Sequence, residues 1–242
     1  MRSIIFIITL FIINVHAYAL DDKEIFLLID SDNISKIRKL VESNQITVDQ
    51  KIKAEPYKFA PLVTIAARAA SLKVLAYLIE KKADLNARTS VDETALMLAS
   101  FFDDEMGDPN GVYTRHEKAV KLLVEAGAYL ENIPEQFVPL AYAAYKSRTR
   151  IITYLLSKGA NPNGVTQNGT SLVNTPLMMS VIGGDKKTTL LLLRSGADAK
   201  ITNSRNATAL ELAKKNGKDD VLSYLECAET LSNGEIFSQK CE

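Results

Sequence analysis

Apolar stretches along this chain end repeatedly in a pair of large aliphatic residues followed by a short polar phrase. The four pairs are Leu78-Ile79, Leu123-Val124, Leu155-Leu156 and Leu192-Leu193. Gly127, Gly159 and Gly196 open three of the phrases, and Lys82 stands at the equivalent place in the first. A glycine just past an apolar helix is a left-handed C-cap, so each phrase predicts a helix end and a turn of the chain.

Helix starts recur at a fixed distance after the polar phrases. Twelve residues after Gly196 lies Thr208, and the same offset from Lys82 reaches Thr94. Thr175-Pro176 and Val138-Pro139 form similar starts, with proline at the first helical position, where its missing N–H costs nothing. The pattern predicts a first helix of under about ten residues, a turn and a longer second helix.

These starts and phrases resemble the ankyrin repeat family, whose unit carries Thr-Pro-Leu-His-x-Ala at helix one and Gly-Ala-Asp after helix two. The resemblance covers about 59–226 as five recognisable units, with a degenerate sixth unit at 21–51 that keeps its second helix at 35–41. It implies an all-α ankyrin-repeat solenoid of about six helix-turn-helix units. The divergent first unit is expected to be the N-terminal cap, because one side of an end repeat faces water.

The expected organisation divides the chain at the repeat phrases. It is a signal peptide (1–19), a capping repeat (20–55), repeats at 56–88, 89–132, 133–164, 165–201 and 202–226, and a C-terminal tail (227–242). The family's motif histidine is absent, and other residues stand at or near its place: Thr64, Met97, Ala141, Met178 and Glu211. Its loss removes an inter-repeat hydrogen bond, so we expect stability to rest more on apolar stacking.

Two segments exceed the family spacing. An acidic insertion at 103–114 separates the helices of the third unit, and the tip at 163–174 is about four residues longer than its counterparts. Asp103, Asp104, Glu105, Asp108 and Asn110 supply oxygens that could bind a hard cation, but their spacing fails the EF-hand template. A solvated loop or a recognition loop for a basic partner are the alternatives.

The N-terminus has the features of a cleaved signal peptide. Arg2 precedes an apolar stretch over 4–15, and Ala17-Tyr18-Ala19 matches a signal-peptidase site. A retained anchor is the alternative, although the stretch is shorter than the roughly 20 residues that cross a bilayer. We expect cleavage after Ala19, no stable membrane insertion afterwards, and a periplasmic or secreted protein.

The two cysteines, Cys227 and Cys241, both lie in the tail. In an oxidising compartment so close a pair is expected to form a disulfide, worth about 3 kcal/mol for a loop of about 15 residues in the chain-entropy model. Two independent buried thiols are the alternative, disfavoured by the polar segment between them.

Composition and charge narrow the classes of partner. The chain is 47% hydrophobic, enough for a continuous core, and 29 basic residues balance 29 acidic ones, so no excess charge favours nucleic acid. Only His116 remains after signal removal, where a capping or packing role is expected. With no base for a nucleophile, too few zinc ligands and no phosphate cradle, we expect no enzyme, no metal site and no cofactor.

The functional residues are expected on the concave face, at repeat positions that the hydrophobic core does not need. Aromatic, apolar and cationic side chains there fit a protein interface. The candidates are Arg68, Arg88, Phe101, Phe102, Phe137, Tyr145, Lys146, Leu172 and Ile182. For Phe101 and Phe102, packing under the neighbouring acidic loop is the alternative.

The sequence therefore predicts a monomeric, non-enzymatic scaffold that binds another protein outside the cytoplasm. Exported proteins that resemble this family could neutralise a toxic effector, assist an envelope or redox enzyme, or act as a secreted effector on a host protein. A ligand carrier is a further class, although stacked short helices seldom enclose a pocket.

Overall fold

A computed structural model describes residues 20–102, 114–131, 137–164, 173–232 and 235–241. Within these ranges the chain is helical, apart from one short two-stranded sheet. The elements are α1 (Asp22–Asp30), α2 (Ile34–Glu42), β1 (Lys51–Ala54), β2 (Tyr57–Pro61), α3 (Leu62–Arg68), α4 (Leu72–Glu80), α5 (Ala95–Phe101), α6 (Arg115–Glu125), α7 (Pro139–Tyr145), α8 (Thr149–Ser157), α9 (Pro176–Gly183), α10 (Lys186–Arg194), α11 (Ala209–Lys215), a 3-10 turn (Asp219–Val221), α12 (Leu222–Thr230) and α13 (Phe237–Lys240).

The helices form two layers. The inner helices α1, α3, α5, α7, α9 and α11 contact one another in that order. The outer helices α2, α4, α6 and α8 form a parallel row, and α10 and α12 pack on α9 and α11. Each inner helix turns back into an outer one, so the predicted all-α repeat solenoid is confirmed.

The inner helices begin where the threonine starts predicted. The side-chain oxygens of Thr94, Thr175 and Thr208 each accept a hydrogen bond from the backbone N–H three residues later. Pro139 and Pro176 occupy the first position of α7 and α9. These caps satisfy N–H groups that a helix leaves without partners, and so set each helix start.

The outer helices end in the predicted left-handed turns. Gly127, Gly159 and Gly196 have φ angles of 92°, 93° and 88°. Lys82, at the same place, also has a positive φ of 63°. A side chain is disfavoured in this conformation, so glycine suits the turn better than lysine does.

A ladder of polar bonds links successive repeats. The side-chain oxygens of Asp49, Asn86, Glu131 and Asn163 accept hydrogen bonds from the backbone N–H of the next repeat's phrase, at 2.7–2.9 Å. These bonds add to the apolar stacking on which we expect stability to rest more in the absence of the motif histidine. Asn86, Glu131 and Asn163 are the last residues of three of the repeat phrases, so the phrase that ends one repeat supplies the bond to the next.

Strands β1 and β2 form an antiparallel hairpin before α3, which the repeat pattern did not predict. Ile52 and Ala54 are buried while Lys51 and Lys53 are exposed, an alternation typical of a half-buried strand. The Glu55–Pro56 peptide bond at the turn is cis. The hairpin packs on α1 and leads directly into α3.

The C-terminal tail is held by the predicted disulfide between Cys227 and Cys241, whose Cα atoms lie 5.7 Å apart. Phe237 in α13 is 4% exposed, and its ring centroid lies 6.5 Å from that of Tyr224 in α12. The tail therefore packs on the last repeat and covers its apolar side.

Several predictions concern residues outside the described ranges. They are the signal peptide at 1–19, the acidic segment at 103–113, and residues 165–172 of the longer tip at 163–174. The acidic insertion ends at Thr114, which caps α6. Among the helices of the described ranges, none combines the length and the hydropathy that a membrane span requires.

Candidate functional site

The inner helices α5 and α7 leave aromatic side chains at the surface near their C-terminal ends. Residues 95–100 of α5 are buried, whereas Phe101 and Phe102 are only partly buried. In α7, Tyr142 and Tyr145 are partly buried next to the fully packed Ala143 and Ala144. The buried residues of α5 and α7 therefore make the helix contacts, and the rings lie at the edge of the core, where they are partly exposed.

These rings meet to form one cluster, which we call the aromatic cluster: Phe101, Phe102, Phe137, Tyr142 and Tyr145. The centroid of Phe101 lies 5.1 Å from Phe102, 5.7 Å from Tyr142 and 6.2 Å from Tyr145. Phe137 lies 6.1 Å from Tyr142. The geometries are edge-on or stacked, so the rings support one another and form a continuous surface.

Two cationic side chains among the predicted binding residues, Lys146 and Arg68, lie on this cluster. Lys146 Nζ is 4.6 Å from the centroid of Phe101 and 5.7 Å from that of Tyr145, and the guanidinium of Arg68 is 5.1 Å from Phe102. Arg68 also donates to the carbonyl of Glu55 at 3.4 Å. The contact with the ring faces orders both cations beside an apolar surface.

A partly buried carboxylate that is not among the predicted residues contacts the cluster. Glu93 precedes α5, and its two oxygens accept hydrogen bonds from the hydroxyls of Tyr57 at 2.8 Å and Tyr142 at 2.9 Å. The three residues come from β2, the tip before α5, and α7. This Tyr57–Glu93–Tyr142 bridge therefore joins three successive units, and it orients Tyr142 within the aromatic cluster.

We expect this bridge to make the protein sensitive to alkaline pH. Burial raises the pKa of Tyr57 and Tyr142 above the ordinary 10.0, and the Glu93 carboxylate raises it further, since a phenolate beside it would be repelled. Above pH 10 the unfolded chain loses these protons while the folded protein keeps them, so the free energy of unfolding should fall as pH rises. Tyrosinate absorbance during an alkaline titration should show two phenols that ionise only when the protein unfolds.

The double variant Tyr57→Phe/Tyr142→Phe is the control for this titration. It should lose the two late phenols and flatten the alkaline decline in stability. If every tyrosine of the folded wild type ionised near its ordinary pKa, the bridge would not exist in solution.

An open groove of about 720 Å³ continues the same surface toward α11. Phe137 and Ile182 contribute its apolar part, and the turn at 203–207 and the end of α11 form its polar side. Asn203 shapes that turn: its side-chain oxygen accepts from the N–H of Arg205 and of Ala207, and its amide donates to Asn174 at 2.7 Å. Because Phe137 belongs to both, the groove and the aromatic cluster are continuous.

The structure brings seven of the nine predicted residues onto this surface. They are Arg68, Phe101, Phe102, Tyr145 and Lys146 at the cluster, Ile182 in the groove, and Phe137 in both. Arg88 instead donates to the carbonyl of Asp92 within the tip before α5, so it stabilises that tip. Leu172 lies outside the described residues.

Gly183, which the sequence places on the same face, has a packing role. A Cβ built at this position would lie 2.3 Å from the carbonyl oxygen of Tyr145. The close approach of α9 to α7 at Tyr145 therefore requires glycine at position 183.

His116 is a packing residue, as its position in the repeat indicates. It is 5% exposed in α6, and its Nε2 lies 2.9 Å from the carbonyl oxygen of Arg68. The neighbouring Arg115 donates to the carbonyl of Ala70 at 2.9 Å. Both side chains tie α6 to the turn between α3 and α4. Within the described ranges no group of three or more His, Cys, Asp or Glu residues could hold a metal ion.

Comparison with known proteins identifies the repeat. A family model for ankyrin repeats in three copies matches residues 140–234. The mitochondrial disaggregase of Bos taurus is 27% identical over 166 residues, which is 68% of this chain and 22% of that protein. Alpha-latroinsectotoxin-Lt1a of Latrodectus tredecimguttatus is 30% identical over 95 residues, 39% of this chain and 6% of the toxin. The chain thus spans under a quarter of the length of either relative, and the family model shows ankyrin repeats at 140–234.

Proposed function

We propose that this protein, an all-α solenoid that contains ankyrin repeats, is a non-enzymatic scaffold that binds another protein through its inner-helix face outside the cytoplasm. Ankyrin repeats generally serve as binding scaffolds, which implies a protein partner. The inner-helix face is the surface formed by the aromatic cluster and the adjoining groove. In a solenoid, extended surfaces of this kind are the ones used for binding.

The observation that carries the proposal is the aromatic cluster itself. Its rings are partly exposed at the surface of the inner helices, whereas residues 95–100 and the alanines of α7 are buried. Exposed aromatic rings favour association with a partner that covers them, and aromatic residues with flanking cations are typical of interface hot spots.

The rigidity of this surface supports tight binding. Tyr142 is held by Glu93, Phe101 packs against two tyrosine rings, and Lys146 lies over Phe101. Side chains that are already ordered lose little conformational entropy when a partner docks. Binding at this surface therefore has a smaller entropic cost than binding at a flexible loop would have.

Two features support action outside the cytoplasm. The sequence at 1–19 has a basic start, an apolar stretch and a small-x-small end, as a signal peptide does. The disulfide between Cys227 and Cys241 is the kind of bond that persists in oxidising compartments.

The test uses the protein isolated from its native cells, whose N-terminus should be Leu20. As bait, the wild-type protein should retain a specific partner, and Phe137→Ala/Tyr145→Ala should lose at least about 30-fold in affinity, as expected when hot-spot rings are truncated. Circular dichroism and the melting temperature should remain close to wild type, because both side chains are partly exposed. The measurement is affinity capture followed by calorimetry with the identified partner.

Tyr154→Ala is the matched control. Tyr154 is a partly buried tyrosine on the outer helix α8 with Lys121 and Lys158 at 5.7 Å and 5.4 Å from its ring centroid, so it reproduces Tyr145 and its cation on the opposite face. Its loss should leave binding unchanged. Equal binding by wild type and Phe137→Ala/Tyr145→Ala would refute the inner-helix face as the site. An N-terminus at Met1 would refute cleavage of the signal peptide, and recovery of the protein in the cytoplasmic fraction would refute export.

A further inference from the structure

The inner-helix face carries cations that pair with no carboxylate of the described residues. Lys146 lies on the aromatic cluster, and Arg205 and Lys215 line the groove. All three are exposed, and within the described ranges none of them forms an ion pair. We call these three residues the cationic strip. In contrast, the neighbouring Lys214 pairs with Glu226 at 3.3 Å.

Among the described residues of the same surface, two carboxylates accept hydrogen bonds within the fold. Glu93 accepts from two tyrosine hydroxyls. Glu211, which lines the groove, accepts from the N–H of Thr208 at 2.8 Å as part of a helix cap. Neither carboxylate pairs with the cationic strip. Together with Arg68, the strip gives the described residues of this surface four cations against two carboxylates, so this part of the surface carries an excess of positive charge. The chain as a whole carries no net charge.

The shape of the surface suits an extended chain. The groove of about 720 Å³ is open rather than enclosed and leads through Phe137 to the aromatic cluster. Its volume is within the range of sites that hold drug-sized ligands, and by size it suits a short peptide segment. A segment lying along it would meet Arg205 and Lys215 first, then the rings of Phe137 and Tyr142, then Lys146.

We infer that the inner-helix face binds an extended acidic segment of the partner protein, with carboxylates at the cationic strip and an apolar or aromatic side chain on the aromatic cluster. This rests on the proposed function and specifies its partner. Charge complementarity of this kind favours acidic segments over basic ones and speeds their association. A peptide is favoured over nucleic acid because three cations on a chain of balanced charge could release few phosphate counterions.

The test is selection of a random dodecapeptide display library on the mature wild-type protein. The enriched peptides should carry at least about twofold more Asp and Glu than the starting library, together with an aromatic or leucine residue. The triple variant Lys146→Glu/Arg205→Glu/Lys215→Glu should lose this acidic preference. One enriched peptide, labelled with a fluorophore, should bind the triple variant at least about tenfold more weakly than wild type in anisotropy titrations.

The outer-face variant Lys36→Glu/Lys73→Glu/Lys187→Glu is the matched control, because it reverses three exposed cations on α2, α4 and α10. It should bind the peptide within about twofold of wild type, since charges farther away than a Debye length are screened. Equal weakening in both triple variants would refute the inference, because net charge alone would then explain the binding.

The remaining outcomes separate the inference from the proposed function. Enriched peptides that are neutral or basic, yet depend on Tyr145, would refute the acidic partner and leave binding by the inner-helix face intact. Peptides that bind Phe137→Ala/Tyr145→Ala as well as wild type would count against both. Displacement of the acidic peptide by oligothymidylate at similar concentration would refute a peptide-specific site.

Discussion

Replacing Gly183 by alanine should destabilise the protein by about 2–3 kcal/mol, the upper part of the range for an overpacked contact. The added Cβ would lie 2.3 Å from the carbonyl oxygen of Tyr145, so α7 and α9 would have to separate. Backbone atoms on both sides of the contact cannot rotate away as a flexible side chain could. Urea unfolding should show a lower midpoint, and Tyr145 should move from its place on the aromatic cluster.

Gly159→Ala is the comparison for this variant. A Cβ at Gly159 would meet nothing within 4 Å, and only its φ of 93° disfavours a side chain. It should therefore lose about 1 kcal/mol, the cost of the left-handed conformation alone. If Gly183→Ala were as stable as wild type, the close contact between α7 and α9 would not exist in solution.

Replacing Glu93 by alanine should lower the free energy of unfolding by about 3 kcal/mol, because two largely buried hydroxyls lose an ionised acceptor at once. Tyr57 is 7% exposed and has little water to replace the bond. Glu93→Gln should lose less, since an amide can accept from one hydroxyl and donate to the other. Chemical denaturation of the three proteins measures the difference.

A double-mutant cycle separates the bridge from other effects of Glu93. Tyr142→Phe removes one hydroxyl and keeps its ring, so its effect should be smaller in the Glu93→Ala background than in wild type. Additive effects would mean that the Glu93 carboxylate and the Tyr142 hydroxyl do not interact. Because Glu93 orients Tyr142 within the aromatic cluster, Glu93→Ala should weaken partner binding as well.

The sequence predicts where the repeat helices begin and end. Thr94, Thr175 and Thr208 marked the inner helix starts, and the glycine phrases marked the ends of the outer helices. These predictions succeeded because capping involves residues within a few positions of each other. The same repeat phase predicts which positions of the inner helices the core does not need. Phe101, Tyr145 and Lys146 are candidates for partner binding on that ground.

The hairpin at 51–61 and the polar ladder show where the repeat pattern was insufficient. The alternation in Lys51-Ile52-Lys53-Ala54 was a usable strand signal, but it lies outside the repeat phrases. The ladder follows from the polar residues at Asn86, Glu131 and Asn163, yet their partners lie 30 to 43 residues away.

By itself, the sequence determined the repeat architecture and its phase and paired Cys227 with Cys241, because these depend on local backbone preferences and on two cysteines close in the chain. Only the tertiary structure decided that Glu93 binds Tyr57 and Tyr142, separated from it by 36 and 49 residues. It also decided that Gly183 is a contact point and that Phe137 joins the groove to the aromatic cluster. Such contacts arise from the distance and rotation between packed repeats, which short-range sequence patterns do not specify.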